Sequence, residues 1–172
     1  KLFLLDHGFY EVINSPFVSL PAGVEAIKVD NPLDSNREYL RTNITNSLIE
    51  NLLFNERRQK DSIKLFEISD IYSFNGTINK RRKLCLIASG RVGLNYEDFS
   101  KKINMKYISN LFKQILPEEV FDFQLLPRDL LDTKINNEII SLEVDIDKFS
   151  DKSLVDLAVN PASTLASALT WV

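Results

Sequence analysis

Reactive side chains are scarce in this sequence, and their surroundings argue against most of the chemistry they could perform. His7 is the single histidine, which removes Ser-His-Asp triads and multi-histidine metal sites from consideration. Its place at the end of an apolar run fits a histidine interacting with a helix C-terminus. Cys85 lies within Leu84-Cys85-Leu86-Ile87, where a thiol packs as a small hydrophobe and nothing adjacent would stabilise a thiolate. Gly90-Arg91-Val92-Gly93 follows a strand-like run and invites a phosphate-loop reading. It lacks the third glycine and the Lys-Ser/Thr of such a loop, and Glu97 and Asp98 stand where a phosphate would dock. Asp145 and Asp147 flank Ile146, but no further ligands accompany them, so a solvated strand end accounts for the pair.

Two basic clusters remain. Lys80-Arg81-Arg82-Lys83 is either a phosphate contact or a solvated hairpin arm that discourages edge pairing. No aromatic residues interleave its charges as a stacking platform requires. Glu56-Arg57-Arg58-Gln59-Lys60 reads as favourable charge placement after a helix. No catalytic, cofactor-binding or metal-binding residue is assigned from any of these patterns.

The elements that position these groups follow from periodicity. Leu2–His7 ends a helix, with Gly8 as a left-handed cap. Phe9–Ser19 is rich in β-branched and aromatic residues and reads as a strand that Pro16 interrupts; Leu20–Gly23 turns, and Ala26–Val29 is a short strand. Ser35 and Glu38 fit a capping box, followed by Leu40, Ile44, Leu48 and Leu52 at spacing four, a helical stripe running to about Asn55 with a weak point near Thr42. Ile63–Ile68, Ile71–Phe74 and Leu84–Ser89 are strands, with Asn75-Gly76 as a hairpin turn. Phe99, Ile103, Tyr107, Leu111 and Ile115 predict a helix from about Tyr96 to Leu116, stopped by Pro117. Phe121–Leu126 and the alternating run Ile140–Ile146 are strands joined through a polar turn at Lys134–Glu138. Strands linked by short turns, with two long helices between them, define an α+β class with a mainly antiparallel sheet.

Composition narrows the function classes. The chain has 172 residues, with 21 Lys and Arg against 24 Asp and Glu, a net charge of −3. That balance excludes a surface that binds nucleic acid throughout, but not a local patch. The length suffices for a core without a disulfide or metal staple. One cysteine permits no internal disulfide and fits a reducing compartment. No run reaches the ~18 apolar residues of a membrane span, so no membrane partner is expected. The start, Lys1–His7, lacks Met and is too short in its apolar stretch for a signal peptide, and the chain is read as a piece of a longer cytoplasmic protein. Glycines number five, with none after Gly93, which leaves little for a phosphate-wrapping backbone. The last charged residue is Asp156, so residues 1–156 are read as one module and the uncharged 157–172 as a tail of unassigned structure.

Four segments, in this order, carry a family resemblance: His7-Gly8-Phe9-Tyr10-Glu11-Val12-Ile13-Asn14; Asn31-Pro32-Leu33 followed by Tyr39-Leu40-Arg41-Thr42; Lys64-Leu65-Phe66-Glu67-Ile68 with Asp70-Ile71-Tyr72; and Leu84–Gly90. Together they resemble the catalytic-like module of the bacterial phenylalanyl-tRNA synthetase β subunit. The match covers roughly residues 1–150; the Asn-Pro-Leu…Leu-Arg-Thr segment is its most specific part, and the glycine-bearing segment the family would carry near Leu126-Pro127-Arg128 is absent. The resemblance implies a class II synthetase catalytic-like fold, an antiparallel sheet flanked by helices. It also implies a heterotetramer of two α and two β chains, with ATP, Mg and phenylalanine serving the whole synthetase and no cofactor in this fragment. A class II active site holds ATP with a strand Arg and a nearby Glu, and with a late glycine-rich segment ending in Arg. The absence of glycine after Gly93 removes the late segment, and Arg41, placed before the helical stripe, is not given the ATP role.

The expected function is therefore a non-catalytic module that packs on the α subunit and supports aminoacylation of tRNA(Phe). The interface candidates are Asn31, Pro32 and Leu33, with Ile49 and Leu53, which widen the helical stripe beyond one row. An alternative is an RNA-contacting module that meets tRNA(Phe) through Lys80, Arg81, Arg82 and Lys83. A small-molecule enzyme ranks last, since the lone His, the apolar Cys and the few glycines leave it little to work with.

Overall fold

A computed structural model of the chain describes residues 1–20, 25–93, 95–113, 122–129, 131 and 135–146. In chain order the elements are α1 (Leu2–Asp6), β1 (Tyr10–Glu11), β2 (Phe17–Val18), β3 (Tyr39–Leu40), α2 (Thr45–Glu56), β4 (Ser62–Phe74), β5 (Ile78–Gly90), α3 (Met105–Phe112), β6 (Gln124–Leu125) and β7 (Ile139–Asp145). Five strands form the main sheet in the order β1-β4-β5-β7-β6, while β2 and β3 make a separate two-stranded sheet. All pairings are antiparallel except β1 with β4. This is the α+β, mainly antiparallel architecture expected from the sequence.

The backbone of the fold is the β4–β5 hairpin, which closes on Asn75-Gly76-Thr77 with Phe74 opposite Ile78 and Gly76 at φ +88°. Ile63–Ile68 and Ile71–Phe74, expected as two strands, run as one. Alternation then sorts the side chains onto two faces. On one face Phe66, Leu86, Ala88, Ile140 and Leu142 pack with Leu4 of α1, Phe9, and Ile108, Leu111 and Phe112 of α3. On the other, Ile63, Leu65, Ile71, Cys85, Ile87 and Ile139 pack with Ile44 and with Leu48 and Leu52 of α2. A one-residue slip of register would exchange these sets, so burial on both faces fixes the pairing.

Several boundaries differ from the expectation, each for a local reason. The Phe9–Ser19 run splits at Pro16 into β1 and β2, which join different sheets. Ala26–Val29 supplies only a bridge from Lys28 to Tyr39. The capping box at Ser35 and Glu38 does not form. Asp34 instead accepts from the Asn36 N–H at 2.8 Å, and Tyr39–Leu40 pairs with Phe17–Val18, so α2 begins only at Thr45. The second helix begins at Met105 rather than Tyr96. Asn95 accepts from the Asp98 N–H at 2.8 Å and closes a turn of its own, and Asn104 caps α3 by accepting from the Tyr107 N–H at 2.9 Å. β6 pairs with β7, but covers only Gln124–Leu125. The expected turn at 20–23 in part, the end of the second helix near Pro117, Lys134, Asp147 and the 157–172 tail lie outside the described residues.

Candidate functional site

The polar side chains that the fold brings together ring α2 on its face of the sheet. Arg41 follows β3 and is 2% exposed. Its backbone is held first: the Arg41 N–H donates to the Pro16 carbonyl at 2.9 Å, and the Arg41 carbonyl accepts from the Tyr72 N–H at 3.0 Å. The guanidinium then donates to Glu67 Oε1 at 2.8 Å, to the Asp70 carbonyl at 3.1 Å and to the Ser69 hydroxyl. The second carboxylate oxygen of Glu67 accepts from Asn14 Nδ2 at 2.7 Å, and Asn14 Oδ1 accepts from Asn51 of α2 at 2.9 Å. A cleft of about 580 Å³ opens beside this network, lined by neutral polar groups such as Asn14, Asn43, Asn46 and Asn51 together with Arg37 and Arg41.

The two ends of α2 are held the same way. At its start, Glu143 Oε2 of β7 accepts from the Ile44 and Thr45 N–H groups, both at 3.1 Å, and from the Thr45 hydroxyl at 2.7 Å. The other oxygen accepts from Lys83 at 3.1 Å. Burial pushes the Glu143 carboxyl upward, but the bonds from Thr45 and Lys83 outweigh it and hold the group below the ordinary carboxylate range. The orphan N–H groups and positive end of the helix, which could have received an external anion, are met by the chain's own. At its finish, buried Glu56 receives both terminal nitrogens of Arg128, at 2.7 and 3.1 Å, and Arg128 also donates to Ser89 Oγ at 2.9 Å.

The residues singled out from sequence fall as follows. His7 Nδ1 meets the Phe3 carbonyl at 2.8 Å, a helix-end contact as expected. Cys85 is fully buried, and burial pushes its thiol up to about 12, which leaves it unreactive near neutrality. Gly90, at φ +93°, is a packing device: a Cβ there would lie 1.9 Å from the Asp61 carbonyl oxygen. Among the basic cluster, Lys80 pairs with Asp70 at 2.9 Å, Lys83 with Glu143, and Arg81 with Asp145 at 4.0 Å, while Arg82 is exposed across from Asp70. Asp145 is thus a strand-end carboxylate facing cations. Leu33 is fully exposed and Asn31 exposed, with Pro32 half-buried. Ile49 packs on the core under α2, and Leu53 is half-buried.

Sequence reasoning missed Glu67, Glu143, Glu56 and Arg128. Only Glu67 carried a signal, a carboxylate within the apolar run Leu65–Ile68 that must find a partner when buried. Arg41 stands before α2, as the sequence places it, directly after β3, and the partner it meets is Glu67. Among the described residues no group of three or more His, Cys, Asp or Glu is placed to hold a metal, and no helix is long and apolar enough to cross a membrane.

This arrangement of sheet and helices is similar to that of a pyrrolysyl tRNA synthetase from Desulfitobacterium hafniense. The TM-score is 0.56 at 14% identity, over 91% of this chain and 65% of that one. The two chains thus share a fold, that of a tRNA synthetase structure. The chain belongs to the phenylalanyl-tRNA synthetase beta chain CLM domain family, whose model matches residues 1–125. The phenylalanine–tRNA ligase beta subunit of Mycoplasma mycoides is 35% identical over 101 residues, 57% of this chain and 12% of that protein. The subunit from Dechloromonas aromatica is 24% identical over 147 residues, 76% of this chain and 18% of that one. The chain therefore spans less than a fifth of the length of these curated relatives.

Proposed function

We propose that the chain is a non-catalytic module of a cytoplasmic phenylalanine–tRNA ligase β subunit, which packs on the α subunit and so supports aminoacylation of tRNA(Phe). One observation carries this reading. The buried or nearly buried cations on the α2 face, Arg41, Lys83 and Arg128, each hold a carboxylate of the same chain, and a fourth anion site, the start of α2, is filled by Glu143. A nucleotide triphosphate needs cations with unfilled valence. Here an incoming phosphate would have to displace a desolvated carboxylate, at a cost of several kcal/mol, on the order of breaking a buried ion pair. Apart from exposed Arg37 at the cleft, the cations there are already engaged, and on this reading ATP and its Mg belong to the α subunit of an α2β2 assembly.

What the module retains is shape and exposed apolar surface. Leu33, at the tip of the Asn31-Pro32-Leu33 loop, has no packing partner to lose by becoming an interface residue, and the half-buried Leu53 is partly free. A stable subunit contact buries more than about 1,200 Å², so these residues serve as anchors within a larger surface. Ile49 contributes to the core as well, and a charge there would unfold α2's packing besides touching an interface. The test is co-expression with the synthetase α chain. Leu33→Asp and Leu53→Asp, in a chain whose circular dichroism is unchanged, should abolish co-purification; an intact complex would defeat the assignment. RNA contact through Lys80, Arg81, Arg82 and Lys83 draws less support, because three of these four cations face carboxylates of the chain.

A further inference from the structure

The tip of the β4–β5 hairpin carries chemistry that subunit packing does not use. We propose that Asn75 is a site of spontaneous modification, in which its side-chain amide becomes a carboxylate through a cyclic imide formed with the backbone nitrogen of Gly76. Asn75-Gly76 is the one Asn-Gly pair in the chain, and both residues are exposed. The loop leaves the attacking atom available. Among the described residues the Gly76 N–H donates to nothing; the loop is closed instead by the Asn75 N–H on the Thr77 carbonyl at 3.3 Å. Gly76 has no side chain, and nothing lies within 4 Å of where its Cβ would stand, so the space beside that nitrogen is open. The amide is prepared as well. Asn75 Oδ1 accepts a hydrogen bond from Asn79 Nδ2, which also donates to the Thr77 carbonyl at 3.1 Å and is thereby held in place. A donor on that oxygen draws electrons from Cγ and meets the negative charge that develops as the nitrogen attacks.

The reaction needs only hydroxide and water. Hydroxide takes the Gly76 amide proton, the nitrogen bonds to Asn75 Cγ, and the Cγ–Nδ2 bond breaks as ammonia leaves with a proton from water. Nothing is oxidised or reduced, and because ring closure is intramolecular the two groups are already in proximity. Water then opens the imide at either carbonyl, giving aspartate or isoaspartate. Isoaspartate puts an extra carbon into the main chain, so the last rung of the hairpin, Phe74 opposite Ile78, loses its register. Either product adds a negative charge to an arm that carries Lys80, Arg81 and Arg82. The two asparagines followed by serine are protected. Asn14 is bound at both amide atoms, by Glu67 and Asn51. Asn46 lies in the first turn of α2, where a helical ψ of about −42° turns the next nitrogen away from the side chain. The inference concerns this chain alone and does not rest on the α subunit.

The experiment incubates the 172-residue chain in heavy-oxygen water at mildly alkaline pH and maps its peptides by mass spectrometry over time. The expected result is amide-to-acid conversion at Asn75, with solvent oxygen in the product and both aspartate and isoaspartate formed, while Asn14 and Asn46 stay intact. Asn79→Ala should slow the conversion about two- to tenfold, the worth of one hydrogen bond. That difference should vanish in urea, where the loop is lost. Conversion of Asn75 no faster than that of Asn14 or Asn46 overturns the proposal. An Asn79→Ala chain that converts as fast as the parent, or faster, also overturns it, since the bond would then clamp the amide rather than assist its loss. A difference that persists in urea does the same, because it would belong to the local sequence and not to the hairpin.

Discussion

Arg41 and Glu67 lie 2.8 Å apart with both side chains 2% exposed, joining the segment after β3 to the middle of β4. The residue that carries the most specific part of the family resemblance is thus committed to a partner 26 positions away. A buried pair of this kind gains little over a matched apolar pair, but it strands a charge when one member is removed. Arg41→Met should therefore destabilise the chain by about 3–5 kcal/mol in urea unfolding. Arg41→Met with Glu67→Leu should recover much of that loss. A double variant as unstable as the single one would place the loss in the bonds of Arg41 to Ser69 and the Asp70 carbonyl and of Glu67 to Asn14, not in the ion pair.

Glu143 gives the chain an acid-sensitive joint. Its carboxyl is held below the ordinary range, so its contribution to stability is complete above the pKa of an unfolded glutamate, about 4.3, and is lost as pH falls through the lower folded value. Glu143→Gln should be less stable than the parent near neutrality by about 1.5–3 kcal/mol, the worth of hydrogen bonds to a charged group. The gap should close on acidification below the unfolded value, because the protonated parent loses the same interactions. Melting temperatures of both proteins between neutral and acidic pH measure this, and a gap that stays constant would assign the helix cap to shape alone.

Cys85 provides a probe of opening. With its thiol buried and pushed up to about 12, labelling by a maleimide near neutral pH should proceed only through unfolding of the α2 side of the sheet. The expected outcome is slow modification that accelerates about tenfold for each ~1.4 kcal/mol by which Arg41→Met destabilises the chain. Rapid labelling of the folded chain would place the thiol at the surface.

Local chemistry accounts for what was legible in the sequence. The β4–β5 hairpin was readable because Asn75-Gly76 and the alternation on both sides act within a few residues of each other. So were the Gly8 helix stop and the break at Pro16. The start of α2 was not, because Leu40 satisfies a helical period and a strand equally well. Pairing with Phe17–Val18 decides between them; Asn43, whose Oδ1 accepts from the Asn46 N–H at 3.0 Å, was the one local mark of the true start, and Glu143, about a hundred positions later, completes the cap. The second helix was overextended for a similar reason, since the apolar spacing at Phe99 and Ile103 continues through Asn104, which stops it. The ion pairs around α2 were invisible in one dimension: Glu56 looked like part of a solvated basic run, and its Arg128 partner lies 72 positions away.

Two glycines separate backbone geometry from close approach. Gly76, in the hairpin turn at φ +88°, has nothing within 4 Å of where a Cβ would stand, whereas a Cβ on Gly90 at φ +93° would meet the Asp61 carbonyl oxygen at 1.9 Å. Gly76→Ala bears only the left-handed penalty, about 1–2 kcal/mol. Gly90→Ala bears the same penalty and must also force β5 away from the start of β4, which adds about 1–3 kcal/mol of overpacking. It would also displace Arg91 from Asp61. Urea unfolding of the two variants decides the matter. Equal losses would mean that β5 and Asp61 are not in the contact described.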